Sequence, residues 1–383
     1  MGNQSSSINA AVSFAKFEVP ALDGLRAIAF LLVFFAHAGL SRLVPGGFGV
    51  TVFFFLSGYL ITTLLRIESN KTGDISLWNF YVRRAARILP PLYITLLLVC
   101  LVVFFSEHKV YVLKIIGTLL YVNNYLGLIW NLHSPVPGVW SLAVEEHFYL
   151  LFPLLFMIWT RRKVTPNTQA LVLFLFCMVA LMWRMFLVFV VHIQVPTAND
   201  EQLYIGWTYA ATDCRFDAIA WGCLLAVRDN PWFASKPNWL SRHKGLFACM
   251  GVATILASLL YRNPYFRETL RYTLQSAALY PIFYYCVATP SSWVSRTLSL
   301  KPVRWLGWLS YSLYLIHSLA LEWLPKHWHP VMIGVCAFVL SLGYGWLMRV
   351  AVELPSHHMR DKFLRKPAPR PYPSETSAVS QEA

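Results

Sequence analysis

Arg26 and His37 stand eleven residues apart in the segment from Ala21 to Leu40, which is otherwise almost wholly apolar apart from Asp23. On a helix that interval is about three turns, so the two side chains share a face about 16 Å apart. Arg84 and Arg87 form a second pair, in Tyr81-Val82-Arg83-Arg84-Ala85-Ala86-Arg87-Ile88-Leu89-Pro90. If that stretch is helical they share a face too. The spacing suits two phosphates, although ordinary positive-inside anchoring explains the charges equally well. Glu145 follows Trp140-Ser141-Leu142-Ala143-Val144, and further along come Asp213, Arg215 and Asp217, then Tyr311, Tyr314 and His317.

Phosphate-binding arginines at one membrane face, a cation at Arg26 and a base deeper in suggest a long ligand threaded inward. Acyl-coenzyme A has that shape. Its phosphates would stay with the arginines while the pantetheine arm carries a thioester toward His37, and an acceptor hydroxyl arrives from the opposite side. Histidine suits the exchange because its ordinary pKa of about 6.5 lets it take a proton from a hydroxyl and return one to a thiolate. Glu145, expected near the level of His37, would fix the imidazole tautomer. Asp213, Arg215 and Asp217 read first as charges that pair at a helix mouth, and His317 as a hydrogen-bonded core histidine; a role in binding substrate is the sharper alternative for both, and for Tyr311.

The elements that must position these groups are membrane helices. Of 383 residues 57% are hydrophobic and 13% charged, against about 25% charged in soluble domains. Apolar length and Lys/Arg-rich loops together predict an all-α, polytopic fold of roughly ten spans, with cores near 21–40, 48–66, 88–106, 139–160, 168–192, 209–227, 245–261, 270–289, 305–324 and 331–354. A charge at the centre of a span costs about 2.5–3.5 kcal/mol, so the ionisable clusters need a reason. Placing both termini in the cytoplasm gathers Arg66, Lys71, Arg83, Arg84 and Arg87, then Arg161, Arg162 and Lys163, and the later basic clusters on that side. Arg42, Lys109, Lys114, Arg262, Arg267, Arg271 and Lys326 fall on the other.

The net charge of +14 therefore reads as membrane orientation and not as a nucleic-acid surface. All seven cysteines lie in apolar stretches without metal or disulfide spacing, so no metal is expected. Residues 112–128, interrupted by Asn123 and Asn124, read as a hairpin on the outer face or a re-entrant piece. The chain divides into a cytoplasmic segment 1–20, a membrane domain 21–355 and a basic, then disordered, tail 356–383. Met1-Gly2-Asn3-Gln4-Ser5-Ser6 matches a myristoylation pattern, which chance explains in a protein already held by many helices.

These motifs, in this order, resemble the membrane-bound acyltransferase-3 family, the OafA-like O-acyltransferases. Arg26 and His37 sit within the family's first-helix pattern, which opens Leu22-Asp23-Gly24-Leu25-Arg26. Gly46-Gly47-Phe48-Gly49-Val50, the paired Arg84 and Arg87 before Pro90, Trp140 to Glu145, Arg215-Phe216-Asp217, Ser310 to His317 and Glu353-Leu354-Pro355 follow in the family's sequence. The resemblance implies transfer of an acyl group, usually acetyl, from cytoplasmic acyl-coenzyme A to a hydroxyl of a surface glycan, lipid-linked sugar or secreted small molecule. It implies a catalytic His37, donor-binding arginines, and a multi-pass protein of the plasma membrane, most simply a bacterial inner membrane. Two positions depart from the pattern: Thr51 stands where an acidic residue is common, and His147 where glutamine is. No extracellular esterase-like domain is expected after the last span. The rival reading is a proton-coupled transporter or exporter, since buried His, Asp and Glu also build proton relays.

Overall fold

The computed structural model describes residues 17–108, 111–195, 206–234, 237 and 239–364. The myristoylation pattern and most of the tail expected to be disordered lie outside the described residues. Among the described residues every regular element is helical. α1 (Pro20–Phe35) runs into a π-turn (Ala36–Leu40) that carries His37; α2 (Gly46–Thr72) and α3 (Leu77–Glu107) follow. The expected hairpin is α4 (Val112–Leu119) and α5 (Asn123–Trp130). Each has eight residues and so extends only about 12 Å, far short of a bilayer's hydrocarbon.

The second half contains α6 (Val139–Arg161), α7 (Pro166–Phe189), the short α8 (Trp207–Ala210), α9 (Thr212–Arg228), the short α10 (Trp239–Arg242), α11 (Lys244–Leu260) and α12 (Pro264–Glu268). α13 (Leu270–Ala288), α14 (Trp293–Leu298), α15 (Lys301–Trp323) and α16 (Pro330–Met348) come next; a second π-turn (Arg349–Glu353) joins α16 to α17 (Leu354–Phe363). Residues 356–363 of the expected tail region are thus helical.

Local chemistry sets many of these ends. Proline opens α1, α7, α12 and α16, where its missing N–H would be unpaired anyway. Thr165 and Asn263 accept backbone N–H groups as N-caps, and Gly73 closes α2 at φ 83°.

Among the described residues six helical stretches are long and apolar enough to cross a membrane: Pro20–Leu40, Gly46–Thr72, Leu77–Ser106, Val139–Arg161, Pro166–Phe189 and Pro330–Phe363. At the other expected spans stand α9, α11, α13 and α15, of 17, 17, 19 and 23 residues, each either shorter or more polar than those six.

Small residues let the helices close on one another, as they do where lipid removes the hydrophobic drive for association. A Cβ on Gly58 of α2 would stand 1.9 Å from the carbonyl oxygen of Ile219, and one on Gly222 of α9 would stand 2.0 Å from that of Phe55. α2 and α9 therefore cross backbone to backbone. This contact fixes Ser57 and Thr51 of α2 relative to Arg215 and Asp217 of α9.

Candidate active site

The predicted site residues fall into three groups. The first lines a cavity of about 280 Å³ inside the bundle, walled by α1, α2, α3, α6 and α15. α2 contributes Val50 at one extreme and Leu64 at the other, an interval of fourteen residues and about 21 Å. Exposed Glu18 marks its mouth, and Ser141 and Tyr314 its far end. A space so long and so small in volume is a narrow conduit.

Arg26, Arg84 and Arg87 all line this conduit, as do Glu145 and Tyr311. Arg26 pairs with Asp23 at 2.9 Å, so its charge is locally balanced. Arg84 stacks over Tyr149 with its guanidinium carbon 4.5 Å from the ring centroid. Among the described residues neither Arg84 nor Arg87 donates a hydrogen bond or joins an ion pair. Both arginines line the conduit from α3, Arg84 partly buried and Arg87 exposed. Just beyond Arg87, Pro90 and Pro91 remove two backbone donors from α3.

Glu145 differs from expectation. Its carboxylate accepts from Ser57 Oγ at 3.1 Å and from Tyr149 Oη at 3.0 Å, among the arginines and not beside His37. Placing it by helix rise alone ignored the direction of its side chain, which leaves α6 toward α2 and α3. Tyr311 lines the conduit but donates its hydroxyl to the Ile88 carbonyl at 2.8 Å.

The second group is a pair of imidazoles. His37 and His317 meet edge to face, with centroids 5.1 Å apart. His37 Nδ1 lies 2.8 Å from the Val33 carbonyl. A carbonyl only accepts, so the proton is on Nδ1 and Nε2 is left as the basic nitrogen. His317 is buried and fully engaged: Nδ1 contacts the Tyr314 carbonyl at 2.8 Å and Nε2 the Ser318 hydroxyl at 3.1 Å. His37 does not line the conduit. Tyr314 belongs to the conduit lining and also touches the pair, its ring 5.5 Å from that of His317 and its hydroxyl held by Ser141 at 2.8 Å and the Gly138 carbonyl at 3.3 Å. Gly138 is required there, because its φ is 82° and a Cβ would come within 3.3 Å of the Tyr314 ring.

The third group centres on α9. Asp217 does not pair with Arg215. It accepts from Arg184 of α7 at 2.8 Å and from Thr273 of α13 at 2.7 Å, with all three side chains buried. Arg184 also donates to the carbonyls of Cys214 and Thr269. This network bolts α7, α9 and α13 together. Arg184 went unnoticed in the sequence although its signal was plain: it is the one charged residue in α7. Arg215 donates to the hydroxyl of Thr51 at 2.9 Å and packs on Tyr272, Tyr209 and Phe54. The position where an acid is common thus supplies a neutral partner to a buried cation. Asp213 accepts from Tyr125 at 2.5 Å and from Trp183.

An acyltransferase domain matches residues 19–350, nearly the whole of the described bundle. The chain belongs to the acyltransferase-3 family. It is 29% identical to the peptidoglycan O-acetyltransferase OatA of Listeria monocytogenes, over 86% of this chain and 54% of that protein. It is 30% identical to the O-acetyltransferase OatA of Staphylococcus aureus, over 85% of this chain and 54% of that protein. The chain therefore spans about half the length of these curated relatives. No solved structure matches it. Within this acyltransferase-3 domain, the conduit and the imidazole pair gather the residues whose types carry acyl-transfer chemistry.

Proposed function

We propose that the protein is a multi-pass O-acetyltransferase of the plasma membrane, taking its acyl group from cytoplasmic acyl-coenzyme A and passing it to a sugar hydroxyl of a cell-wall glycan. The observation that carries this reading is the pair of guanidinium groups, Arg84 and Arg87, left without a hydrogen-bonding partner in a narrow conduit. Two guanidinium groups that face one cavity, with Glu145 as the nearby carboxylate, repel each other and leave donors open to a further anion. The pyrophosphate of coenzyme A is such an anion. The glycan acceptor follows from the OatA relatives.

In this reading the chain crosses the membrane about ten times with both termini in the cytoplasm. The Glu18 mouth then opens inside and the His37 end faces outward. Ser57, bonded to Glu145, marks the level of the arginines, and Val50 lies seven residues, about 10 Å, farther out. The pantetheine arm from phosphate to sulfur has about thirteen bonds and extends about 15 Å, taking the peptide's ~3.6 Å per three bonds as the guide. A donor anchored at Arg84 and Arg87 therefore carries its thioester past Tyr314, to His37. Tyr314 has to turn aside to admit it.

At that point the acceptor hydroxyl gives its proton to Nε2 of His37 as its oxygen bonds to the acyl carbon. The carbon–sulfur bond breaks, and the imidazolium returns the proton to the departing thiolate. The Val33 carbonyl holds Nδ1 and keeps the correct nitrogen pointing to the reaction. Glu145 serves the donor end, orienting Tyr149 beneath Arg84.

Mass spectrometry of surface glycans from cells with and without the protein tests the reading. An acetyl mass increment on a sugar residue that depends on the protein supports it. Identical glycans, together with substrate flux into proteoliposomes that lack acyl-coenzyme A, would replace it with transport.

A further inference from the structure

Arginines also gather at the His37 end of the bundle, where the orientation above leaves few cations. Arg262, after α11, donates to the backbone carbonyl of Arg42 at 3.5 Å, which brings the two outward loops together. α12 adds Arg267, whose Nε has no hydrogen-bond partner. Burial first, then the charge of Arg271, holds the Arg267 guanidinium below its ordinary value. Arg271 stacks on Tyr272 at 5.3 Å, and the same ring carries Arg215 at 4.1 Å.

Arg215 ends the file. Its side chain is fully buried, and Nε and Nη1 have no partner. Two carboxylates lie close by, and both are engaged: Asp217 by Arg184, and Glu268 by the hydroxyl of Thr208. Like charges arranged in series repel through a medium of low dielectric, and the repulsion falls when an anion joins them. Arg215 touches Thr51, which adjoins Val50 at the outer end of the conduit. The file therefore leads from the outer surface to the place where donor and acceptor would meet.

We propose that this file of Arg262, Arg267, Arg271 and Arg215 docks an anionic group, a carboxylate or phosphate, carried on the acceptor glycan. The inference rests on the acyl-transfer reading for the word acceptor, and on the arginines alone for the anion. Held by its charge at the surface arginines, a glycan would present neighbouring hydroxyls toward His37. A neutral sugar would lack that hold.

The test uses the full chain in phosphatidylcholine nanodiscs and two soluble glycan oligomers, one with free carboxylates and one with the same groups amidated. Binding of each is measured directly, and acetyl transfer from acetyl-coenzyme A is measured separately. The carboxylated glycan is expected to bind about tenfold tighter, as for one charge-assisted contact, with the margin shrinking as salt is added. Arg262→Gln combined with Arg271→Gln should erase the preference, whereas Arg262→Lys should keep most of it; unchanged acetyl-coenzyme A affinity reports an intact fold. Equal binding of both glycans by the unaltered protein overturns the proposal. So does a preference that survives the double substitution, including a double variant that loses only its enrichment of phosphatidylglycerol when assembled in mixed-lipid nanodiscs, which would assign the arginines to the bilayer. Discrimination in binding without any transfer would leave the anion site standing and count against the acyl-transfer reading instead.

Discussion

The imidazoles of His37 and His317 meet edge to face, 5.1 Å between centroids, and His317 in turn lies 5.5 Å from the ring of Tyr314, which lines the arginine-bearing conduit. The two rings have unequal chemistry. Both nitrogens of His317 are engaged, whereas His37 keeps Nε2 available. Replacing His37 with Ala should lower acetyl transfer by about 10²–10⁴-fold, the contribution of a general base, and leave acetyl-coenzyme A binding intact. His317→Phe should retain transfer within about tenfold while costing about 1–3 kcal/mol of stability through lost hydrogen bonds. Single-turnover kinetics and thermal unfolding of the two variants separate the roles; equal losses of transfer would make them a functional unit.

The donor's phosphates are assigned to Arg84 and Arg87. Each charge-assisted contact is worth about 1.5–3 kcal/mol, so Arg84→Ala with Arg87→Ala should weaken acetyl-coenzyme A binding by at least about 100-fold. Binding calorimetry in nanodiscs reads this directly. Dephospho-coenzyme A, which keeps the pyrophosphate, should lose far less with the unaltered protein than coenzyme A loses with the double variant.

Tyr314 should act on passage and not on affinity. Its hydroxyl is held by Ser141 and the Gly138 carbonyl at the end of the conduit. A bulkier, less mobile ring in Tyr314→Trp should leave donor affinity near normal and cut transfer on the order of 10²-fold, as misplacement of a reacting group does. Tyr314→Phe, freed of both hydrogen bonds, should turn over at least as fast. A rise in donor KM without a fall in kcat would contradict this division.

Arg184 and Asp217 form a buried ion pair at 2.8 Å with both side chains fully enclosed. Removing one partner strands the other's charge and costs about 3–5 kcal/mol. Arg184→Met should therefore lower thermal stability sharply, and adding Asp217→Leu should restore much of it. A double variant no more stable than the single one would show that the pair does more than hold α7, α9 and α13 together.

Much of this could be read from residues alone, because lipid makes composition decisive. Apolar length located helices that carry the site, and spacing marked Arg84 and Arg87 as a pair on one face, although positive-inside anchoring explained those charges equally well. The polar break at Asn123 and Asn124 marked the turn between α4 and α5. What escaped was lateral direction. Axial rise placed Glu145 level with His37, but rotation about α6 turns it to Ser57 and Tyr149. Asp217 has a neighbour in sequence, Arg215, that shares its helix, yet its partner comes from α7; helix-to-helix pairing is a tertiary fact that local spacing does not encode.

The central claim is that a donor held by Arg84 and Arg87 delivers its acyl carbon to His37. Bromoacetyl-coenzyme A tests it most directly, because its reactive carbon occupies the position of the acetyl methyl and alkylates the nucleophile it reaches. Peptide mapping by mass spectrometry after reaction in nanodiscs is expected to find the added mass on His37, and on the new thiol of a His37→Cys variant. The label should be suppressed by acetyl-coenzyme A and lost in the Arg84→Ala, Arg87→Ala variant. Donor binding with label confined to residues on the cytoplasmic side of Tyr314, and none at position 37, would contradict it.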